Sequence, residues 1–132
     1  MPRLLLPALL VTCGSALLLA GCGGDDAPAV APGPNTVVLD DFEFEPQDVT
    51  VRQGDTLTIL NEGGTAHNLT VERGPNPRRE TDELAGTDSF LKGDSEHLRV
   101  NLRPGNYVMV CTVPGHRALG MVGHFRVRGP GT

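Results

Sequence analysis

YVMVCTVPGHRALGMVGHFRV, residues 107–127, reads as two short runs of largely apolar residues, YVMVC and MVGHFRV, joined by a loop built on proline and glycine. In each run, alternate positions form an apolar set suited to the buried face of a strand. Parity places Cys111 with Tyr107 and Met109, and Met121 with Phe125 and Val127. Cys111 therefore closes one strand and Met121 opens the next. The nine residues between them carry His116. No helical spacing competes with this reading. The loop thus holds a thiol, an imidazole and a thioether between two strands.

The same grammar extends upstream. VVLDDFEF (37–44), VTVR (49–52), DTLTILN (55–61), HNLTVE (67–72) and HLRVNL (97–102) are further short runs, punctuated by Gly54, Gly63, Gly64, Gly93, Pro104 and Gly105. Seven such runs between residues 36 and 128 predict an all-β sandwich or barrel of about seven to eight strands. In HLRVNL the inward set is Leu98, Val100 and Leu102, which leaves His97 outside with Arg99 and Asn101. His124 points outward with Arg126, whereas His67 shares parity with Leu69 and Val71. Residues 73–94 lack a clear pattern, and are either a long crossover between sheets or carry a short helix around 80–84.

The N-terminus is of another kind. Arg3 precedes an apolar run over residues 4–20, the layout of an export signal covering residues 1–21. The signal ends in Leu19-Ala20-Gly21-Cys22, which resembles the lipobox of bacterial lipoproteins, where the cysteine is diacylated and becomes the new N-terminus. Two acyl chains would hold the protein stably at a membrane surface, so the expected location is the cell membrane, facing the periplasm or the cell exterior. Residues 22–35, rich in Gly, Pro, Ala and Asp, are expected to form a tether, and residues 129–132 a short tail. If Cys13 leaves with the signal and Cys22 is acylated, as expected, Cys111 is the one thiol of the mature chain, which decides against a disulfide scaffold.

Loss of Arg3 leaves 10 basic against 16 acidic residues, a net charge of −6, with the basic residues scattered. Nucleic acid is not an expected partner. The domain is expected to be monomeric.

Four residues remain as carriers of chemistry: His67, Cys111, His116 and Met121. Zinc would accept the histidines and cysteine, but methionine is a poor ligand for it. Copper suits the whole set, because Cu(I) favours the sulfurs and Cu(II) accepts the imidazoles. Two histidines and a cysteine near one plane with a long axial methionine is the blue-copper arrangement. Taken singly, each residue has a plainer reading: Cys111 and Met121 as core filling, His116 as an exposed loop residue. Their combination with a distant His67-Asn68 is what points to a metal.

FEFEPQDVTVRQGDTLTILN, AHN and YVMVCTVPGHRALGMVG resemble the cupredoxins, the small blue copper proteins, across residues 36–128. The C-x4-H-x4-M loop looks most like the auracyanin and rusticyanin group. The resemblance implies a Greek-key β-sandwich with one type 1 copper ion near one end. His67, Cys111 and His116 would be its strong ligands and Met121 the weak axial one. It also implies that Asn68 bonds Thr112, tying the two ligand loops together. Ala66 stands where azurin-like members have glycine, Val110 where plastocyanins have an exposed tyrosine, and Val113 keeps an N–H that could reach the cysteine sulfur. The function expected is a single-electron shuttle rather than an enzyme, with Pro114, His116, Ala118 and Leu119 as the electron port. A cytochrome or a membrane oxidoreductase complex would be the partner. The alternative is a copper-binding and delivery lipoprotein.

Overall fold

Buried residues alternate with more exposed ones along the first four strands and the last. The structure, a computed structural model, describes residues 33–74, 76 and 83–131, so the expected signal, Cys22 and most of the expected tether lie outside the described residues. Nine strands occur among those described: β1 (Thr36–Asp40), β2 (Glu43–Glu45), β3 (Asp48–Arg52), β4 (Thr56–Asn61), β5 (Thr70–Arg73), β6 (Glu83–Gly86), β7 (Ser95–Arg99), β8 (Gly105–Val110) and β9 (Val122–Arg128). They form two sheets, ordered β2-β1-β4-β7 and β3-β9-β8-β5-β6. Each sheet is mixed, since β1 runs parallel to β4 and β3 parallel to β9 while the other pairs are antiparallel. The chain changes sheet between β2 and β3, β3 and β4, β4 and β5, β6 and β7, and β7 and β8. This is the all-β, cupredoxin-like sandwich anticipated above.

Both sheets supply the core. Val37, Leu39, Leu57 and Ile59 come from the first, and Val49, Val51, Val71, Met109, Phe125 and Val127 from the second. Burying each of the larger of these side chains contributes roughly 1.5–3 kcal/mol. The inward set of HLRVNL holds, with Val100 buried and Leu98 and Leu102 half-buried against the core. His97 and His124 are exposed, as their parity requires.

Two strands exceed the seven runs. The first run is split by a two-residue turn, Asp41 and Phe42, between Asp40 and its register partner Glu43, and Phe42 sits at φ 66°. The featureless segment contributes β6, which pairs with β5 beside an irregularity between Val71 and Glu72. Glu83 and Leu84 are therefore strand, while residues 80–82 of the suggested helix lie outside the described residues. On β8, Val108 and Val110 are as fully buried as Met109, so this central strand has both faces covered over its second half.

Candidate metal centre

Three segments meet at one end of the sandwich: the β1–β2 turn, residues 61–67 after β4, and residues 111–121 between β8 and β9. Asn61, buried at the end of β4, braces the second of these. Its amide nitrogen donates to the carbonyls of Thr65 (3.0 Å) and Phe90 (2.7 Å), and its oxygen accepts from Gly63 N–H (3.0 Å). The His67 backbone exchanges hydrogen bonds with Phe90 at 3.2 and 3.0 Å. A buried polar side chain with all its bonds made fixes the loop's shape.

The third segment is a chain of turns. Val113-Pro114-Gly115-His116 closes with His116 N–H on the Val113 carbonyl at 3.1 Å, and Gly115 has φ 87°. Proline second and a positive-φ glycine third are what a type II turn requires. Met121 donates its N–H to the His116 carbonyl (3.0 Å) and accepts from Cys111 N–H at 3.1 Å. Cys111, His116 and Met121 are thereby linked through the backbone, and Cys111 and Met121 are fully buried.

The donor atoms converge. His67 Nδ1 and His116 Nδ1 are 3.1 Å apart, and Cys111 Sγ lies 3.5 Å from the His116 nitrogen and 4.0 Å from that of His67. The point equidistant from these corners, their circumcentre, is about 2.1 Å from each, the length of a first-row metal bond to nitrogen and slightly short of one to sulfur. His67, Cys111 and His116 form the one cluster of this kind among the described residues. Two borderline nitrogens, a soft thiol and the buried thioether of Met121 on the same loop fit copper.

Surrounding groups orient the ligands. Asn68 accepts from Thr112 N–H and donates to Thr112 Oγ1, both at 2.8 Å, so the two ligand segments are tied across 44 positions of chain. His67 Nε2 faces Thr65 Oγ1 at 3.3 Å and Asp41 Oδ1 at 3.5 Å, and the carboxylate, which can only accept, favours the tautomer protonated at Nε2 with Nδ1 left to bind. The Phe42 ring stands edge-on to His116 (centroids 5.0 Å apart) and to His67 (6.4 Å). Glu72, buried on β5, pairs with Arg117 of the ligand loop. Glu72 lies opposite Val108 on β8, so this pair pins the ligand loop to the middle of the second sheet. Asp41, Thr65 and Glu72 lie outside the stretches that carry the resemblance, Phe42, Asn61 and Arg117 lie inside them without an assigned role, and Gly63-Gly64 read only as punctuation between runs.

Burial raises the Cys111 thiol above its ordinary 9.0, opposed by the backbone amides of Asn68 and Val113. The N–H retained at Val113 does face the sulfur. Burial, then the charge of His67, lowers His116 below its ordinary 6.5, with Asp41 acting the other way. The raised thiol's contribution to stability is complete below 9.0 and is lost as pH rises through the raised value. The lowered imidazole's contribution is complete above 6.5 and is lost as pH falls through the lowered value. The copper-free domain should therefore melt highest between pH 6.5 and 9.0. A melting temperature still climbing on acidification below that window would contradict these protonation states.

Residues 34–128 match the model for copper binding proteins of the plastocyanin/azurin family. Chloroplastic plastocyanin of Oryza sativa subsp. indica is 33% identical over 121 residues, 91% of this chain and 73% of the relative. The copper-resistant cuproprotein CopI of Rubrivivax gelatinosus is 26% identical, covering 87% of this chain and 82% of its own. Among solved structures, dithionite-reduced auracyanin from Roseiflexus castenholzii superposes with a TM-score of 0.59 at 24% identity, over 70% of this chain and 94% of that one, a likeness of fold. With its ligand cluster and its sandwich, the chain belongs to the plastocyanin/azurin family of copper-binding proteins.

Proposed function

We propose that this protein is an electron carrier, held at the membrane by acylated Cys22 and exchanging single electrons with a cytochrome or a membrane oxidoreductase complex. Copper, when bound, supplies the one-electron couple; the chain supplies a pocket that resists reshaping. The observation that carries the reading is that His67, Cys111 and His116 already face one another, held by the Asn68–Thr112 tie and the Asn61 brace. Ligands fixed before the ion arrives have little to reorganise when its charge changes, which favours fast transfer. Met121, backbone-bonded to both loop ligands, is the proposed axial donor.

His116 is buried, but Pro114, Ala118 and Leu119 around it are exposed, Leu119 to 62%. These residues form the proposed port, an apolar surface on which a partner can settle beside the imidazole. Leu119→Asp should slow electron exchange by about tenfold while copper retention stays unchanged, since Leu119 donates nothing to the metal. Stopped-flow rates equal to wild type would remove the port. His116→Gly removes a ligand together with the port, so its slower exchange should come with weaker copper binding.

The basic test is direct: the purified domain loaded with Cu(II) should turn intense blue and bleach with ascorbate. Acylation is tested by the mass of the mature N-terminus, and Cys22→Ala should release the protein from membranes.

The similarity to CopI favours a second reading, copper capture or delivery in the cell envelope. Rapid loss of copper to a weak chelator would select it, whereas a carrier keeps its ion through many redox cycles. A nitrite reductase from Thermus scotoductus SA-01 shares the fold, but the match spans 25% of that chain, and we propose no enzymatic reaction for this domain.

A further inference from the structure

The β1–β2 turn is shaped in an unusual way around one ligand. Phe42 occupies the left-handed region at φ 66°, where a bulky side chain is disfavoured and persists only when its surroundings hold it. That conformation lays its ring against both imidazoles and directs the Asp41 carboxylate at residues 63–64. There Asp41 Oδ1 accepts from Gly64 N–H at 2.7 Å and stands 3.5 Å from His67 Nε2. The glycines make room for it. A Cβ on Gly63 would lie 2.9 Å from Asp41 Oδ1, and one on Gly64 would lie 3.3 Å from Oδ2. Two separate loops are thus fitted around a single carboxylate–imidazole contact.

We infer that Asp41 is a positioning residue that acts through His67 to favour the oxidised state of the copper site. The inference rests on the copper reading above. A carboxylate beyond the ligand's far nitrogen holds the Nε2–H tautomer and places negative charge where the oxidised site carries one more positive charge than the reduced. The contact is longer than a good hydrogen bond, and the nearer acceptor is Thr65 Oγ1 at 3.3 Å, so charge is the larger part of its effect. Asp41 is half-exposed, which weakens that charge through screening.

Asp41→Asn keeps the shape and the acceptor for Gly64 but removes the charge; Asp41→Ala removes both. In the holoprotein, Asp41→Asn should stay blue with a higher midpoint potential. Its affinity for Cu(II) relative to Cu(I) should fall roughly three- to tenfold, and less at high salt. In the copper-free protein, ring 15N shifts should show a smaller Nε2–H fraction at His67. If both variants keep the wild-type potential and affinity ratio in a blue protein, Asp41 has no such role and the copper reading stands. A wild-type protein that never turns blue would instead overturn the copper reading, and this inference with it.

Discussion

Cys111→Ser should give a folded, colourless protein whose Cu(II) affinity has dropped by at least about 100-fold. The sulfur is fully buried, 3.5 and 4.0 Å from the two imidazole nitrogens, and is the one soft anionic donor in the pocket. A serine hydroxyl keeps its proton at neutral pH and is a hard donor, so neither the charge nor the sulfur-to-copper absorption survives. The fold should tolerate the exchange. Serine is slightly smaller, and the amides of Asn68 and Val113 that face the sulfur can bond a hydroxyl, so the loss of stability should stay below about 2 kcal/mol. Copper titration followed at the visible band, with thermal melting of the copper-free protein, separates the two effects. Retained blue colour would mean that another group is the chromophore.

The second large effect is expected at a residue that touches no metal. A Cβ on Gly63 would fall 2.5 Å from His67 Nε2 and 2.8 Å from its Cδ2. His67 cannot swing aside, because its backbone is bonded to Phe90 and its ring is fully buried. Gly63→Ala should therefore push the imidazole off the Cys111–His116 pair and lower Cu(II) affinity roughly 10- to 100-fold. Overpacking should also destabilise the copper-free domain by about 1–3 kcal/mol. An alanine variant that bound copper as tightly as wild type would show the pocket to be softer than described.

Much of this was legible in the linear chain. Inward parity was right for Leu69, Val71, Val100, Met109, Met121, Phe125 and Val127, because a strand half-buried in a sandwich writes its two faces as alternate residues. The Cys111–His116–Met121 loop was legible because its turn chemistry is local: Pro114 and Gly115 specify the turn that returns His116 toward the sulfur. The Asn68–Thr112 tie was also foreseeable from the family resemblance, and both of its hydrogen bonds are present.

The remainder was not. β6 lies in a segment without alternation and owes its strand form to the exposed edge of β5. Val108 and Val110 are buried on one face of β8 as Met109 is on the other, and the apolar run YVMVC does not say that a second face will be covered. Asp41 and Phe42 read as the middle of one long strand, and their turn is decided by what they meet across 20 or more positions, Gly64 and His116.

The β class, the facing of four runs, and the four side chains with the chemistry for copper were thus written in the linear chain. Those properties are carried by periods and turns a few residues long. Apart from the Asn68–Thr112 tie, which groups brace the ligands, and from which side charge acts on them, came from long-range packing alone. Contacts between distant residues leave no periodic trace, and a carboxylate or a glycine takes its role from the neighbour that folding brings to it.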